Sequence, residues 1–144
     1  MHYRFFVGIV VILVACVLEF FFASAGLFLN FILASLIVSA FLFIFWELAV
    51  LVLIAIFLVQ WAPAPSATLI VFAVIPFAAW AFRRIFSLRP AAGIPCMIVC
   101  GLAVFYLVGA SSFSLSLLGM FFIDIVVSLI FGGLVFAALT QAEK

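Results

Sequence analysis

The stretch from Leu115 to Ala137 reads LSLLGMFFIDIVVSLIFGGLVFA, and Asp124 is the only charged residue among its 23 positions. A helix needs about 20 apolar residues to cross a bilayer, so this segment is long enough to do so. A carboxylate at that depth costs about 2.5–3.5 kcal/mol on insertion scales, and such residues usually face a bundle interior, a cavity or a partner. The segment therefore predicts a membrane helix in which Asp124 faces a bundle interior, a cavity or a partner.

The whole chain is too apolar for a soluble domain. Of its 144 residues, 74% are hydrophobic and only 6% are charged, and the mean hydropathy is +1.76. A soluble domain of this length could not cover so much apolar surface with so few charges. The net charge of +1 gives no reason to expect nucleic-acid binding. We therefore predict an all-α integral membrane protein, a single transmembrane domain over residues 1–144, whose main partner is the lipid bilayer.

Turn and loop residues divide the chain into six predicted transmembrane spans. These are Phe5–Ala23, Leu27–Trp46, Leu48–Trp61, Ala67–Phe82, Ile94–Ala110 and Leu115–Ala137. Pro63 and Pro65 separate the third span from the fourth, because closely spaced prolines oppose helix continuation. The third and fourth spans are near the short limit of about 17 residues, so a re-entrant pair is the alternative. Leu13–Cys16 resembles a lipoprotein cleavage box, but the chain after it stays apolar, which favours a retained helix.

The basic residues predict the orientation of the chain. Lys and Arg favour the cytoplasmic side of a membrane. Six crossings from a cytoplasmic N-terminus put Arg4, Lys144 and the predicted basic loop with Arg83, Arg84 and Arg89 all on that side. The three loops on the other side contain no Lys or Arg. Both termini are therefore predicted to be cytoplasmic, although a re-entrant third and fourth span would satisfy the same rule.

Polar side chains of the first three spans fall in the predicted outer half of the membrane. Glu19 and Asn30 flank the turn at Ser24, and this places them at matching depth on antiparallel helices. A hydrogen bond between them is predicted, worth about 0.6 kcal/mol in a bilayer. Gln60 lies near the outer end of the third span. We predict that these groups belong to one outer-half polar region.

The sixth span carries Asp124 on a stripe of mostly small residues. The stripe repeats every four positions and consists of Ser116, Met120, Asp124, Ser128 and Gly132. Small residues let a neighbouring helix approach closely. No basic residue lies at this depth, so the sequence leaves the protonation state of Asp124 open. A functional role predicts that Asp124→Leu remains abundant but loses its partner, whereas a structural role predicts a packed neutral acid.

The sequence shows no recognisable set of catalytic residues. It contains no phosphate-binding loop, nucleophile–base set or metal-binding cluster. Cys96 and Cys100 share a helix face, but the only histidine is His2, so a metal site lacks ligands. We interpret the two cysteines as small packing residues. The prediction is a non-enzymatic protein with no cofactor and no bound metal.

The layout of the chain resembles the bacterial rod shape-determining membrane protein family, MreD. Members are short, with about this number of spans and almost no soluble part. The local likeness lies in Leu48–Phe86, where these proteins tend to have an apolar span ending in an acid, a short loop, a second apolar span and a basic pair. Here the order is Leu58–Trp61, the proline loop, Ala67–Phe82 and Arg83-Arg84. Gln60 stands where an aspartate is expected, and the usual preceding glycines are absent.

The resemblance implies a scaffold subunit of the cell-wall elongation complex, which determines cell shape, in the bacterial cytoplasmic membrane. It also implies the periplasm-facing protein MreC as a partner. MreD proteins resemble in fold the substrate-binding S-components of energy-coupling-factor transporters. The alternative is therefore a small-molecule-binding transporter subunit with an outward pocket. The candidate partner- or ligand-binding residues are Asp124, Glu19, Asn30, Gln60 and Ser128.

Overall fold

The computed structural model describes residues 2–27, 29–59, 67–87, 89–109 and 115–141. These residues form six α-helices and no strand, which confirms the predicted all-α architecture. The helices are α1 (His2–Ser24), α2 (Phe31–Leu42), α3 (Phe45–Val59), α4 (Ala67–Phe86), α5 (Pro90–Gly109) and α6 (Leu115–Gln141). In the described part of the chain, α1, α4, α5 and α6 are long and apolar enough to cross a membrane. The chain is a polytopic membrane protein.

The short helices are α2 and α3, with 12 and 15 residues. The sequence prediction that the fourth span is short is wrong, because α4 has 20 residues and continues to Phe86. The second span is shorter than predicted because the chain leaves the helix at Phe43, whose backbone is extended. Glu47, which lies between the second and third predicted spans, is part of a helix. It lies in the first turn of α3, where its carboxylate accepts the Ile44 N–H at 3.4 Å and an acid is favoured by the helix dipole.

Helix α2 lies at the centre of the bundle. It contacts each of the other five helices, and these contact one another in the order α1, α3, α4, α5, α6 and back to α1. The α2 sequence, FILASLIVSAFL, has no charged residue, and 11 of its 12 residues are buried. A helix that is apolar on all sides can be buried on all sides. The fold is therefore a ring of five helices around a short central one.

Two glycines allow close helix packing, of α5 against α2 and α4 and of α6 against α5. A Cβ atom at Gly101 of α5 would lie 2.9 Å from Ile37 Cδ1 and 3.0 Å from Ile75 Cγ2. A Cβ atom at Gly132 of α6 would lie 2.7 Å from Ile98 Cδ1. Gly132 shares the buried face of α6 with Asp124, Ser128, Val135 and Leu139. The predicted close packing along the α6 stripe is thus confirmed at Gly132.

Both ends of α2 lie inside the bundle. Twelve residues span about 18 Å, whereas the hydrocarbon core is about 30 Å thick. The non-helical residues on either side, Leu29 and Phe43, are buried. Irregular backbone at membrane depth is tolerated only where protein covers it. The unpaired N–H groups at the start of α2 and the unpaired C=O groups at its end therefore need partners from other helices.

We call the end of the bundle where α2 begins the outer end, and the end where α2 stops the inner end. The orientation that these names imply is still a prediction from the basic residues. Reporter fusions after Ser66 and Ser114 are expected to signal an external location. Fusions after Arg89 and Lys144 are expected to signal an internal one. An external signal after Arg89 would contradict this orientation and the outer placement of the polar groups.

Candidate functional site

Two acids from different ring helices meet the N-terminus of α2. Glu19 of α1 accepts the backbone N–H of Ile32 through Oε2 at 3.1 Å. Asp124 of α6 accepts the backbone N–H of Asn30 through Oδ1, also at 3.1 Å. The first N–H groups of a helix have no intrahelical partner and carry a partial positive charge. The acids thus satisfy donors that have no partner within α2.

Asp124 is fully buried and accepts hydrogen bonds from four donor groups of three residues. Oδ1 accepts from the Asn30 N–H and from Ser128 Oγ at 3.0 Å. Oδ2 accepts from Asn30 Nδ2 at 2.5 Å and from Tyr106 Oη at 3.0 Å. An ionised carboxylate has about four lone-pair positions, so these four donors match its capacity. Asp124 therefore joins α2, α5 and α6 by hydrogen bonds without needing a cationic partner.

The hydrogen-bond partners at the outer end differ from the predicted ones. The predicted Glu19–Asn30 bond is wrong: Glu19 bonds to Ile32, and the Asn30 side chain bonds to Asp124. The matching depth of Glu19 and Asn30 does hold, since both lie at the start of α2. Ser128 reaches Asp124 from one turn along the same helix. Gln60 lies outside the described residues, as does the Ser116 side chain.

Arginines meet the C-terminus of α2 at the inner end. Arg4 of α1 donates from Nη2 to the Leu42 carbonyl at 2.9 Å, and Arg83 of α4 donates from Nη1 to the Ala40 carbonyl at 3.4 Å. Cations near the last carbonyls of a helix are favoured by its dipole. The predicted basic loop is therefore wrong for Arg83 and Arg84, which lie in the last turn of α4. Arg84 stacks on the Trp80 ring at 4.4 Å, and only the exposed Arg89 lies outside a helix.

A cavity of about 430 Å³ lies at the outer end, over the start of α2. It exists because α2 begins deeper in the bundle than the surrounding helices end. Four ring helices provide its walls, and Leu29 and Asn30 lie at its floor. Its lining residues in the described part of the chain are Glu19, Ala23, Leu29, Asn30, Thr68, Phe105, Tyr106, Gly109 and Leu117. The lining is apolar with a few polar groups, as in small-molecule sites.

Sequence reasoning missed Tyr106 and Thr68 of this cavity. The sequence could have indicated Tyr106, which lies one turn from the predicted outer end of the fifth span. A buried tyrosine there needs a hydrogen-bond partner for its hydroxyl. Thr68 had no such signal, since a threonine near a helix start is common. Asp124 and Ser128 were predicted as binding residues, but both are fully buried and do not line the cavity. Of the predicted site residues that the structure describes, Glu19 and Asn30 line it.

The two cysteines of α5 do not pack in the core. Cys96 and Cys100 are free thiols on the exposed face of α5, so their interpretation as packing residues is wrong. In the described residues, no group of three or more His, Cys, Asp or Glu side chains is arranged to hold a metal ion.

Substitution of Glu19 tests its contact with α2. Glu19→Gln is expected to keep nearly all folded protein, because the amide oxygen can still accept the Ile32 N–H. Glu19→Leu leaves that buried donor unsatisfied, which costs about 1–3 kcal/mol. The measurement is the fraction of each variant that elutes as a monodisperse species after extraction from membranes. If the leucine variant matches the glutamine variant, the Glu19–Ile32 bond contributes little to folding.

Comparison of this chain with protein-family models, with curated proteins and with solved structures gave no match.

Proposed function

We propose that this protein is a non-enzymatic binding subunit of a bacterial cytoplasmic-membrane complex, and that the outer-end cavity is its small-molecule site. The observation that carries the proposal is the cavity over the start of α2, with Glu19, Asn30 and Tyr106 in an otherwise apolar lining. Its volume of about 430 Å³ lies within the range of about 300–1,000 Å³ typical of small-molecule sites. This supports the transporter S-component-like alternative of the sequence analysis.

The hydrogen bonds of Asp124 support a structural role for that acid beside the site. Its four donors leave no lone pair for a ligand, and its side chain is fully buried. Asp124 fixes Asn30 and Tyr106, which both line the cavity. We therefore propose Asp124 and Ser128 as positioning residues, and Glu19, Asn30 and Tyr106 as the polar groups that a ligand contacts.

Blocking the cavity tests the proposal. Ala23 lines the cavity from α1, and a phenylalanine there is expected to fill part of it. The matched control is Val17→Phe on the same helix, where the side chain is 69% exposed. Native mass spectrometry of protein purified from its own membranes should detect a bound small molecule with the wild type and with Val17→Phe, and not with Ala23→Phe. Equal occupancy of all three proteins, or no bound species on any, would contradict a small-molecule site in this cavity.

A second candidate is the MreD-like scaffold of the cell-wall elongation complex. The sequence likeness over Leu48–Phe86 favours it, and this segment contains most of α3 and all of α4, with the basic pair in the last turn of α4. In this function the outer end faces the periplasm and contacts an MreC-like protein. The proposal needs a partner rather than a ligand, so the cavity would be incidental to it.

Membrane pull-down separates the two candidates. A tagged wild-type protein that captures an MreC-like protein, with Ala23→Phe capturing as much, would favour the scaffold. The binding subunit would be favoured if the wild type captures no cell-wall protein and carries a small molecule that Ala23→Phe does not carry.

A further inference from the structure

We infer that the outer-end cavity binds a small organic cation with an aromatic or apolar body, and that the Glu19 carboxylate accepts its N–H group. This inference rests on the proposed small-molecule site and specifies the class of ligand. It follows from three properties of the cavity: the acids without basic neighbours at its end of the bundle, the unused acceptor of Glu19 and the aromatic side chains of its wall.

The two acids at the outer end have no basic residue near them. Glu19 and Asp124 both lie at this end. The sequence has no Lys or Arg between Arg4 and Arg83 or between Arg89 and Lys144, so the segments that line the cavity and the outer loops contain none. The arginines that bond to α2, Arg4 and Arg83, lie at its inner end. A low-dielectric site with acids and no internal cation favours a cationic ligand.

Glu19 has acceptor capacity left for a ligand. Its Oε2 accepts the Ile32 N–H, and in the described residues its Oε1 has no hydrogen-bond partner. A carboxylate has about four lone-pair positions, so most of its capacity is unused. Asp124 differs, because all four of its positions are occupied. Glu19 is thus the carboxylate of this end that can both line the cavity and accept a further hydrogen bond.

Aromatic and aliphatic side chains provide the rest of the cavity wall. Phe105 and Tyr106 line it from α5, with ring centroids 6.3 Å apart. Leu29, which precedes α2, and Leu117 of α6 also line it. A cation near an aromatic face gains from the ring quadrupole, and the apolar body of a ligand gains from contact with these side chains. An amine with an aromatic ring combines both features in one small molecule.

The test uses the full-length protein in lipid nanodiscs and two probes of similar shape. The probes are 2-phenylethylamine, a cation at neutral pH, and 2-phenylethanol, its neutral counterpart. Isothermal titration against empty nanodiscs corrects for partition into lipid. The wild type is expected to bind the amine about tenfold more tightly than the alcohol, the factor typical of one hydrogen bond to a charged group. Glu19→Gln keeps the acceptor for Ile32 and is expected to remove this preference.

The matched control is Glu47→Gln, which removes an acid of α3 at the inner end. It is expected to keep the tenfold preference. Equal affinity for amine and alcohol in the wild type, or a preference that survives Glu19→Gln, would overturn the ligand class and leave the small-molecule site intact. The ligand class would also be overturned if the wild type bound neither probe more tightly than Ala23→Phe does. The proposed function is tested separately: it fails only if protein from native membranes carries no small molecule that Ala23→Phe removes.

Discussion

Asp124→Leu is expected to lower the stability of the assembled bundle by about 2–4 kcal/mol. The change removes four hydrogen bonds, each worth about 0.6 kcal/mol on average in a bilayer. It also leaves the two Asn30 donors without this acceptor, but Asn30 lines the outer-end cavity, where water can reach them, so the added cost is about 1 kcal/mol. The leucine eases insertion of α6, but that gain precedes helix assembly and does not restore the missing contacts. Unfolding by SDS in mixed micelles, followed by circular dichroism, measures the loss.

Two further variants identify the cause of this loss. Asp124→Asn keeps the shape of the side chain and one acceptor oxygen. Its amide nitrogen would face donor groups that now bond to a carboxylate oxygen, so a stability between those of the wild type and Asp124→Leu is expected. Ser128→Ala removes a single donor to the same carboxylate and is expected to cost less than about 1 kcal/mol. A leucine variant as stable as the wild type would show that the acid does not hold α2, α5 and α6 together. The expectation that a leucine variant stays abundant, which follows from insertion energetics alone, would then be correct.

Gly101→Leu is expected to produce the other large effect, a loss of about 1–3 kcal/mol or more. A Cβ atom at this position would already lie 2.9 Å from Ile37 and 3.0 Å from Ile75, so a larger side chain must push α5 away from α2 and α4. Movement of α5 also displaces Phe105 and Tyr106 from the cavity wall. The same unfolding measurement, combined with amine binding, reports both consequences.

Gly133→Leu is the matched control for this substitution. Gly133 lies on an exposed face of α6, and no atom lies within 4 Å of a Cβ atom built there. A leucine at that position contacts lipid and is expected to leave stability and binding near wild-type values. A similar loss in both variants would mean that the effect comes from the loss of glycine itself, and that Gly101 is not a site of close helix packing.

The two ends of α2 explain why such an apolar chain keeps a few ionisable residues within its helices. Acids from α1 and α6 bond to its first N–H groups, and arginines from α1 and α4 bond to its last C=O groups. Helix α1 contributes to both ends through Arg4 and Glu19. The hydrogen bonds needed by a short helix that ends inside the bundle are therefore provided by side chains of its neighbours.

The sequence by itself determined the class of protein, the number of helices and the buried face of α6. Composition alone requires lipid as solvent, turn residues separate six helices, and the four-residue repeat from Asp124 to Gly132 identifies a face that does pack inward. Composition is a sum over the chain, and turns and short repeats depend on nearby residues. All three can therefore be predicted without knowing which helices are neighbours.

Only the tertiary structure decided which helix is central, which partners the acids bind and where the cavity lies. Lipid is as apolar as a helix bundle core, so hydropathy does not distinguish the buried α2 from helices that face lipid. Because α2 begins and ends inside the bundle, its terminal backbone groups need partners, and no sequence pattern identifies them. The partners lie on other helices: Glu19 for Ile32, Asp124 for Asn30 and Arg83 for Ala40. The cavity follows from the same cause, because it is the space left where a short helix begins inside a ring of longer ones.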